Sequence, residues 1–293
     1  MSPARQFHVL IATDGSTPAR AAMTTAVRFP WPRGSRGSAV VAKHVLAEHR
    51  RSILLAALDR TAELTARRAG RAISARWPDA HALVVGGPPV EGILDEAKRV
   101  RADVIVLGWR GHGAVRRLLT GSVSRGVARR APCSVLVVRR PRREFRRIVL
   151  GLDGSSHAAR ALDVLASLTP PRGGHVTLLR VVDTLKVPTQ GLAPAGMRAM
   201  VAAEVARINE ERRAAAHKDL SRAARVLSSA GWEIEQVVTG GAPLRELLSV
   251  VAKARADMLI VGARGATGLR HLLLGSVADG ALSASPVPVL IVR

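Results

Sequence analysis

The sequence predicts an α/β fold built twice in tandem, each copy an open five-stranded parallel sheet flanked by helices. Three observations carry this. Short apolar runs alternate with longer helical segments along the whole chain, which is the pattern of a parallel sheet covered by helices. A strand, a glycine loop and a helix start recur at one spacing in both halves. The first copy is Gly108-Trp109-Arg110-Gly111, nine residues, then Gly121-Ser122; the second is Gly262-Ala263-Arg264-Gly265, nine residues, then Gly275-Ser276. Finally, aligning Arg101–Arg139 with Arg255–Arg293 at a constant offset of 154 leaves 18 of 39 positions identical without a gap, and self-similarity of that extent marks a repeat.

Taken in order, strands read at Val9-Leu10-Ile11, Val40-Val41-Ala42, Leu83-Val84-Val85, Val104–Leu107 and Val135–Val138. The second half repeats them at Ile148-Val149-Leu150, Val176–Val182, Glu233–Val238, Met258–Val261 and Val289–Val292. Ser52–Ala75 and Met200–Ser229 have the length and Ala/Arg/Leu/Glu content of helices,. The first strand runs into Thr13-Asp14-Gly15-Ser16 and its counterpart runs through Leu152 into Asp153-Gly154-Ser155, 139 residues later, whereas the glycine loops lie 154 apart. The second half therefore holds 15 extra residues. Thr184–Met200, with Pro188, Gly191, Pro194 and Gly196, is expected to carry them as a mobile loop before a helix,.

Domain limits of 1–140 and 145–293 follow, and 47% hydrophobic content gives each half of about 145 residues its own core,. Between them lies Arg139-Arg140-Pro141-Arg142-Arg143-Glu144-Phe145-Arg146-Arg147, six arginines in nine residues. Such a connector leaves little slack, so the halves are expected to pack together; the charge run is read as solvated rather than as a dedicated nucleic-acid or lipid contact. No apolar run approaches the ~18 residues that span a bilayer. Met1–Arg5 leads straight into a strand with no signal-peptide pattern, so a cytoplasmic protein without membrane contact is expected,. The single Cys133 precedes an apolar strand and is read as a buried structural thiol,.

The net charge of +23 comes from 45 basic against 22 acidic residues, with arginine outnumbering lysine 40 to 5. Nonspecific attraction to polyanions at low salt follows from that charge alone. Specific nucleic-acid recognition is not expected, because three phenylalanines, four tryptophans and no tyrosine leave few stacking platforms,. Nine histidines lack H-x3-H or H-E-x-x-H spacing, and one cysteine builds no zinc site,. Walker and nucleophile-elbow sequences are absent, and no poised catalytic base announces itself, so binding with at most slow hydrolysis is the expected activity,.

The loops themselves suit an anion. Glycine permits positive φ and close approach of a ligand, and a helix N-terminus presents unpaired amides with a favourable dipole. Ser122 and Ser276 stand where an N-cap is expected, so each hydroxyl either caps its own helix or donates to a phosphate oxygen,.

These residues resemble the universal stress protein family, in the subgroup with the signature G-x2-G-x9-G-[ST], and both copies match every fixed position. The resemblance covers nearly the whole chain and implies two Rossmann-like domains, akin to the adenine nucleotide alpha hydrolases, each binding ATP, with Mg²⁺ offsetting phosphate charge. It implies a site in the first half from Thr13, Asp14, Val45, Gly108, Gly111, Gly121, Ser122, Val123 and Ser124, and in the second from Leu152, Asp153, Val181, Gly262, Gly265, Gly275, Ser276 and Val277. The aspartates and the backbone at Val45 and Val181 take the base side. Where the family has a hydroxyl after Gly-Ser-Val, Ser124 keeps it and Ala278 does not, implying a weaker second site. Members commonly dimerise through the last strand; here the two halves are expected to pair internally, with a homodimer of such units also open. The function implied is coupling of nucleotide occupancy to a regulatory or stress response. The alternative is an interaction protein of the same fold, with vestigial sites and a basic surface that contacts nucleic acid or an acidic partner.

Overall fold

The computed structural model describes residues 6–43, 53–109, 121–142, 144–186, 195–266 and 274–293. The first half runs β1 (His8–Ala12), α1 (Thr17–Arg28), β2 (Arg36–Lys43), α2 (Ile53–Ser74), β3 (Ala82–Gly86), α3 (Pro89–Arg99), β4 (Val104–Gly108), α4 (Ser122–Arg130) and β5 (Ser134–Val138). The second half repeats the order with β6 (Arg147–Gly151), α5 (Ser156–Ser167), β7 (His175–Val182), α6 (Ala195–Ser229), β8 (Glu233–Gly240), α7 (Pro243–Lys253), β9 (Met258–Gly262), α8 (Ser276–Ala284) and β10 (Val289–Val292). Every strand read from the sequence is present.

The two expected five-stranded parallel sheets are present and join edge to edge through their last strands into one ten-stranded sheet, ordered β3-β2-β1-β4-β5-β10-β9-β6-β7-β8. Within each half all neighbours are parallel, and the halves meet at a single antiparallel ladder. Its register is Val289↔Val137, Leu290↔Leu136 and Ile291↔Val135. Leu136 and Leu290 are equivalent positions of the repeat, so the ladder is centred on a residue facing its own counterpart. The reason for the merger is that both terminal strands are apolar with no protecting charge, and pairing them removes two exposed edges.

Strand alternation then divides the interior between two faces. Val9 and Ile11, Val104 and Val106, Leu136 and Val138, and Leu290 and Val292 face α1, α2, α5 and α6. Leu10, Ile105, Leu107, Val135, Val137, Val289 and Ile291 face α3, α4, α7 and α8. Each core runs unbroken through the junction. Cys133 is half-buried against the second core rather than buried.

Two further expectations change. Part of the extra length of the second half is helical: α6 has 35 residues against 22 in α2, and Ala195–Met200, including Gly196, lies inside it. Residues 187–194 lie outside the described residues. The arginine-rich connector is also more than a solvated tether. Phe145 is 2% exposed, with its ring edge-on to Phe29 at 4.9 Å. Asp257 Oδ2 accepts from the backbone N–H groups of Arg146 and Arg147 at 3.1 and 3.0 Å. Burying one phenylalanine contributes about 2–3 kcal/mol, enough to fix where the connector lies.

Candidate functional site

In a doubly wound sheet, ligands bind beyond the carboxyl ends of the strands where the order reverses. Here those points lie between β1 and β4 in one half and between β6 and β9 in the other. The Asp-Gly-Ser turns and the glycine loops both emerge there, so residues about 100 apart in sequence meet.

In the first half, Thr13 continues the ladder, its N–H donating to Val40 O at 2.9 Å. Asp14 Oδ1 accepts from Ser16 N–H at 2.9 Å, and Ser16 caps α1 by accepting from Ala19 N–H. A cavity of about 530 Å³ opens beside Thr13, Asp14 and Gly15, between α1 and α2, with Met23, Thr65 and Arg68 in its wall. That volume lies within the range of small-molecule pockets.

The loop after β4 is closed by backbone bonds. Trp109 N–H donates to Val138 O at 3.0 Å, and Gly121 N–H to Trp109 O at 2.9 Å. The second loop repeats both, with Ala263 N–H to Val292 O at 2.7 Å and Gly275 N–H to Ala263 O at 2.8 Å. Neither Gly108, Gly121, Gly262, Gly265 nor Gly275 has positive φ, so left-handed backbone is not what selects glycine at these positions. Close approach is: a Cβ on Gly108 would lie 2.6 Å from the backbone carbon of Pro18, and one on Gly262 2.9 Å from Ala158 N. The end of each central strand is pressed against the first turn of α1 or α5.

The expected N-caps shift by one residue. Gly121 and Gly275 are the caps, in extended conformation with φ/ψ of −63/140 and −70/154, and neither offers a side chain to its first turn. Ser122 and Ser276 are the first helical residues, followed by Val123 and Val277. A glycine cap supplies no acceptor, so the amides of the first turn keep their capacity for an anion. Ser124, 2% exposed, points back into the loop, its hydroxyl donating to Trp109 O at 2.8 Å and Gly121 O at 3.0 Å. Ala278 leaves the second loop without those bonds.

In the second half Asp153 is held on both oxygens. Oδ1 accepts from Ser155 N–H and Oδ2 from Ala266 N–H, each at 2.9 Å. A Cβ on Gly265 would come within 2.7 Å of Oδ2, so only glycine allows this closure. Leu152 N–H donates to Leu179 O at 2.8 Å. Ala12 pairs with Val40 and Gly151 with Leu179, which makes Ala42 the structural counterpart of Val181. The pairing of Val45 with Val181 expected from the sequence is therefore three residues out of register. Val45 and Gly111 lie outside the described residues, as do Arg110, Arg116, Arg117, Arg270 and His271.

Burial lowers the pKa of His157 beside this loop, and Arg160, Arg264 and Arg293 lower it further, against Asp153. The imidazole thereby takes up a proton less readily than a free one. Among the described residues no group of three His, Cys, Asp or Glu side chains is placed to hold a metal.

Four arginines at the junction carry no sequence signal except their place in the repeat. Arg139 donates to Leu282 O and Ser283 O in the last turn of α8, and its counterpart Arg293 donates to Ala128 O and Arg129 O in the last turn of α4. Arg125 forms a two-pronged pair with Asp279, the residue 154 positions on, and Arg129 also reaches that carboxylate. Arg125 and Arg129 hold the Asp279 carboxyl below the usual range.

The model of the universal stress protein family matches residues 7–139 and again 144–293. A universal stress protein of Mycobacterium tuberculosis is 31% identical over 207 residues, which cover 66% of this chain and 62% of that protein. One from Bacillus subtilis is 29% identical over 149 residues, covering 51% of this chain and 99% of that protein. In three dimensions, a universal stress protein from Archaeoglobus fulgidus superposes with a TM-score of 0.68 over 98% of this chain and 96% of its own, at 20% identity. The chain belongs to the universal stress protein family, with the family domain present twice in tandem.

Proposed function

We propose that the chain binds an adenine nucleotide in each half and uses occupancy to regulate a partner in a stress response. The observation that carries this is the doubled helix start. At each reversal point a glycine-capped helix presents its first-turn amides, with no capping side chain from the cap residue, opposite an Asp-Gly-Ser turn. The residues suit the group. The amides of Ser122 and Val123, and of Ser276 and Val277, would hold phosphate oxygens, with the serine hydroxyls as added donors. Asp14 and Asp153 repel phosphate and so belong on the base side, where a carboxylate accepts from the adenine amino group. Asp153 already accepts from Ala266 N–H, but each carboxylate oxygen has a second lone pair,. ATP is the expected nucleotide, with Mg²⁺ offsetting the triphosphate charge, in a cytoplasmic protein whose two domains are residues 1–140 and 145–293. Among the described residues no helix is long and apolar enough to cross a membrane.

We also read the Leu136–Leu290 ladder as an internal pseudo-twofold pair, one chain standing in for a dimer of single domains. The self-equivalent register supports this.

Calorimetry with Mg·ATP tests the function. Close to two ATP per chain are expected, GTP binding more weakly, with one site lost in Gly121→Val and the other in Gly275→Val. No binding at millimolar Mg·ATP would refute the reading and favour the basic-surface interaction protein.

A further inference from the structure

The two glycine loops share their backbone bonds but differ at the residue after the first glycine: Trp109 in one, Ala263 in the other. The Arg139 guanidinium carbon sits 4.3 Å from the Trp109 ring centroid. From that position the same guanidinium donates to Leu282 O at 2.7 Å and to Ser283 O. One side chain thus has the first loop on its face and the helix of the second loop on its fork.

Neither end of this contact is loose. The backbone of Trp109 is anchored to Val138 by its N–H, while its carbonyl accepts from Gly121 N–H and Ser124 Oγ, so the loop closure fixes the point from which the ring reaches Arg139. At the other end, α8 has only nine residues, about 13 Å of helix, and its first residue is Ser276,. A cation bonded to terminal carbonyls stabilises a helix from its C-terminus. A helix this short is marginal and forms cooperatively, so ordering its last turn favours its first.

The mirror contact is incomplete. Arg293 grips Ala128 O at 2.6 Å and Arg129 O at 2.9 Å, but Ala263 stands where Trp109 stands in the first half and offers no ring. Two arginines therefore clamp the junction, and Arg139 also lies on the ring of a loop residue.

We infer that Trp109 and Arg139 couple the two nucleotide loops: binding at the first loop fixes the ring, the ring fixes Arg139 on the end of α8, and the second loop binds more tightly because its helix is already ordered. This rests on the nucleotide reading above. Linkage makes the effect reciprocal, so occupancy of the second loop favours the first by the same factor. Arg139 is a positioning residue in this scheme. It touches no ligand, and it acts through Trp109 on one side and α8 on the other. Arg293 holds the halves together without carrying the coupling.

The test is calorimetry with Mg·ATP on the full chain. Gly121→Val and Gly275→Val each leave one site and give the two intrinsic constants; the overall two-site constant of the unaltered chain, divided by their product, is the coupling factor. A factor of about five or more is expected. In Arg139→Gln and in Trp109→Ala, each measured in the same three backgrounds, it falls to about one. Arg139→Lys keeps the charge without the planar fork and loses most of the factor in a chain that folds. Arg293→Gln lowers thermal stability comparably to Arg139→Gln yet retains the factor. A factor of one in the unaltered chain, an unchanged factor in Arg139→Gln, or equal loss in Arg293→Gln overturns the inference, the last by showing that the junction as a whole carries the coupling. If no chain binds ATP, the nucleotide reading itself falls, and the coupling with it.

Discussion

The two halves agree in backbone and diverge in side chains, and where they diverge is informative. Loop closure, the Asp-Gly-Ser turn and the pressed glycine at the end of the central strand are the same in both. Trp109/Ala263, Ser124/Ala278 and Arg125/Asp279 differ. The last pair shows why a fused repeat gains from divergence. Equivalent residues meet across a pseudo-twofold ladder, so two identical copies would place Arg125 against another Arg125. In this chain the position carries opposite charges and the halves attract. Symmetry conserves what each half needs for itself, and the junction can use difference.

The centre of the ladder tests the symmetric part of that comparison and should give the largest effect. Leu136 and Leu290 are fully buried opposite each other. Leu136→Ala and Leu290→Ala should each cost about 2–5 kcal/mol and nearly the same amount. The double variant should be non-additive because the sites touch. Denaturant unfolding measures this; costs differing by more than about 2 kcal/mol would mean the halves are not equivalent at their junction.

The charged part comes next. Asp279→Arg gathers three guanidinium groups and should cost about 2 kcal/mol, between values for exposed and buried pairs. Adding Arg125→Asp should restore part of it, since Arg129 remains beside the new cation. Asp279 also gives this contact an acid limit. Its folded pKa lies below the unfolded 3.8, so its contribution is full above 3.8 and is lost as pH falls through the folded value. A denaturation midpoint that does not fall with acid below pH 3.8 more in the parent than in Asp279→Asn would count against it.

Ser124→Ala removes two hydroxyl contacts inside the first loop and should cost about 1 kcal/mol. It should also make the first site resemble the second, weakening ATP binding there less than tenfold. Ala278→Ser should strengthen the second site in return, and unchanged affinity in both variants would leave Ser124 with no role in the loop.

The smallest expected effect concerns His8, whose position in the second half is held by Arg147. His8 Nε2 meets Ser38 Oγ at 2.9 Å and Nδ1 lies 3.1 Å from Val100 O. Burial, the largest influence, lowers its pKa from 6.5. The folded state therefore binds the proton less readily than the unfolded chain, so stability is full above pH 6.5 and declines as pH drops towards the lowered value. A thermal midpoint that shifts equally between pH 7.5 and 5.5 in the parent and in His8→Gln would show that other groups set this dependence.

All ten strands and the repeat were readable, because apolar alternation and glycine spacing are local signals. Helix α6 was read from Met200 although it begins at Ala195: Gly196 looked like a breaker, and tertiary context overrode that weak preference. The loop glycines were legible as glycines but not for their reason. Contact between Gly108 and Pro18 depends on how a helix lies over a strand 90 residues away. Val45 was misaligned for want of a register, which hydrogen bonds supply and composition does not. Arg139 and Arg293 looked like ends of a charge run or a chain, and only the antiparallel ladder reveals what each one reaches.

That ladder has a further consequence. Because β5 and β10 run in opposite directions, the carboxyl ends of β1 and β4 lie on one rim of the sheet and those of β6 and β9 on the opposite rim. The two reversal points thus lie on opposite rims with four strands, β4, β5, β10 and β9, between them. A molecule seated at one rim therefore faces away from the other, and contact with both reversal points at once requires reaching around the edge of the four strands between them.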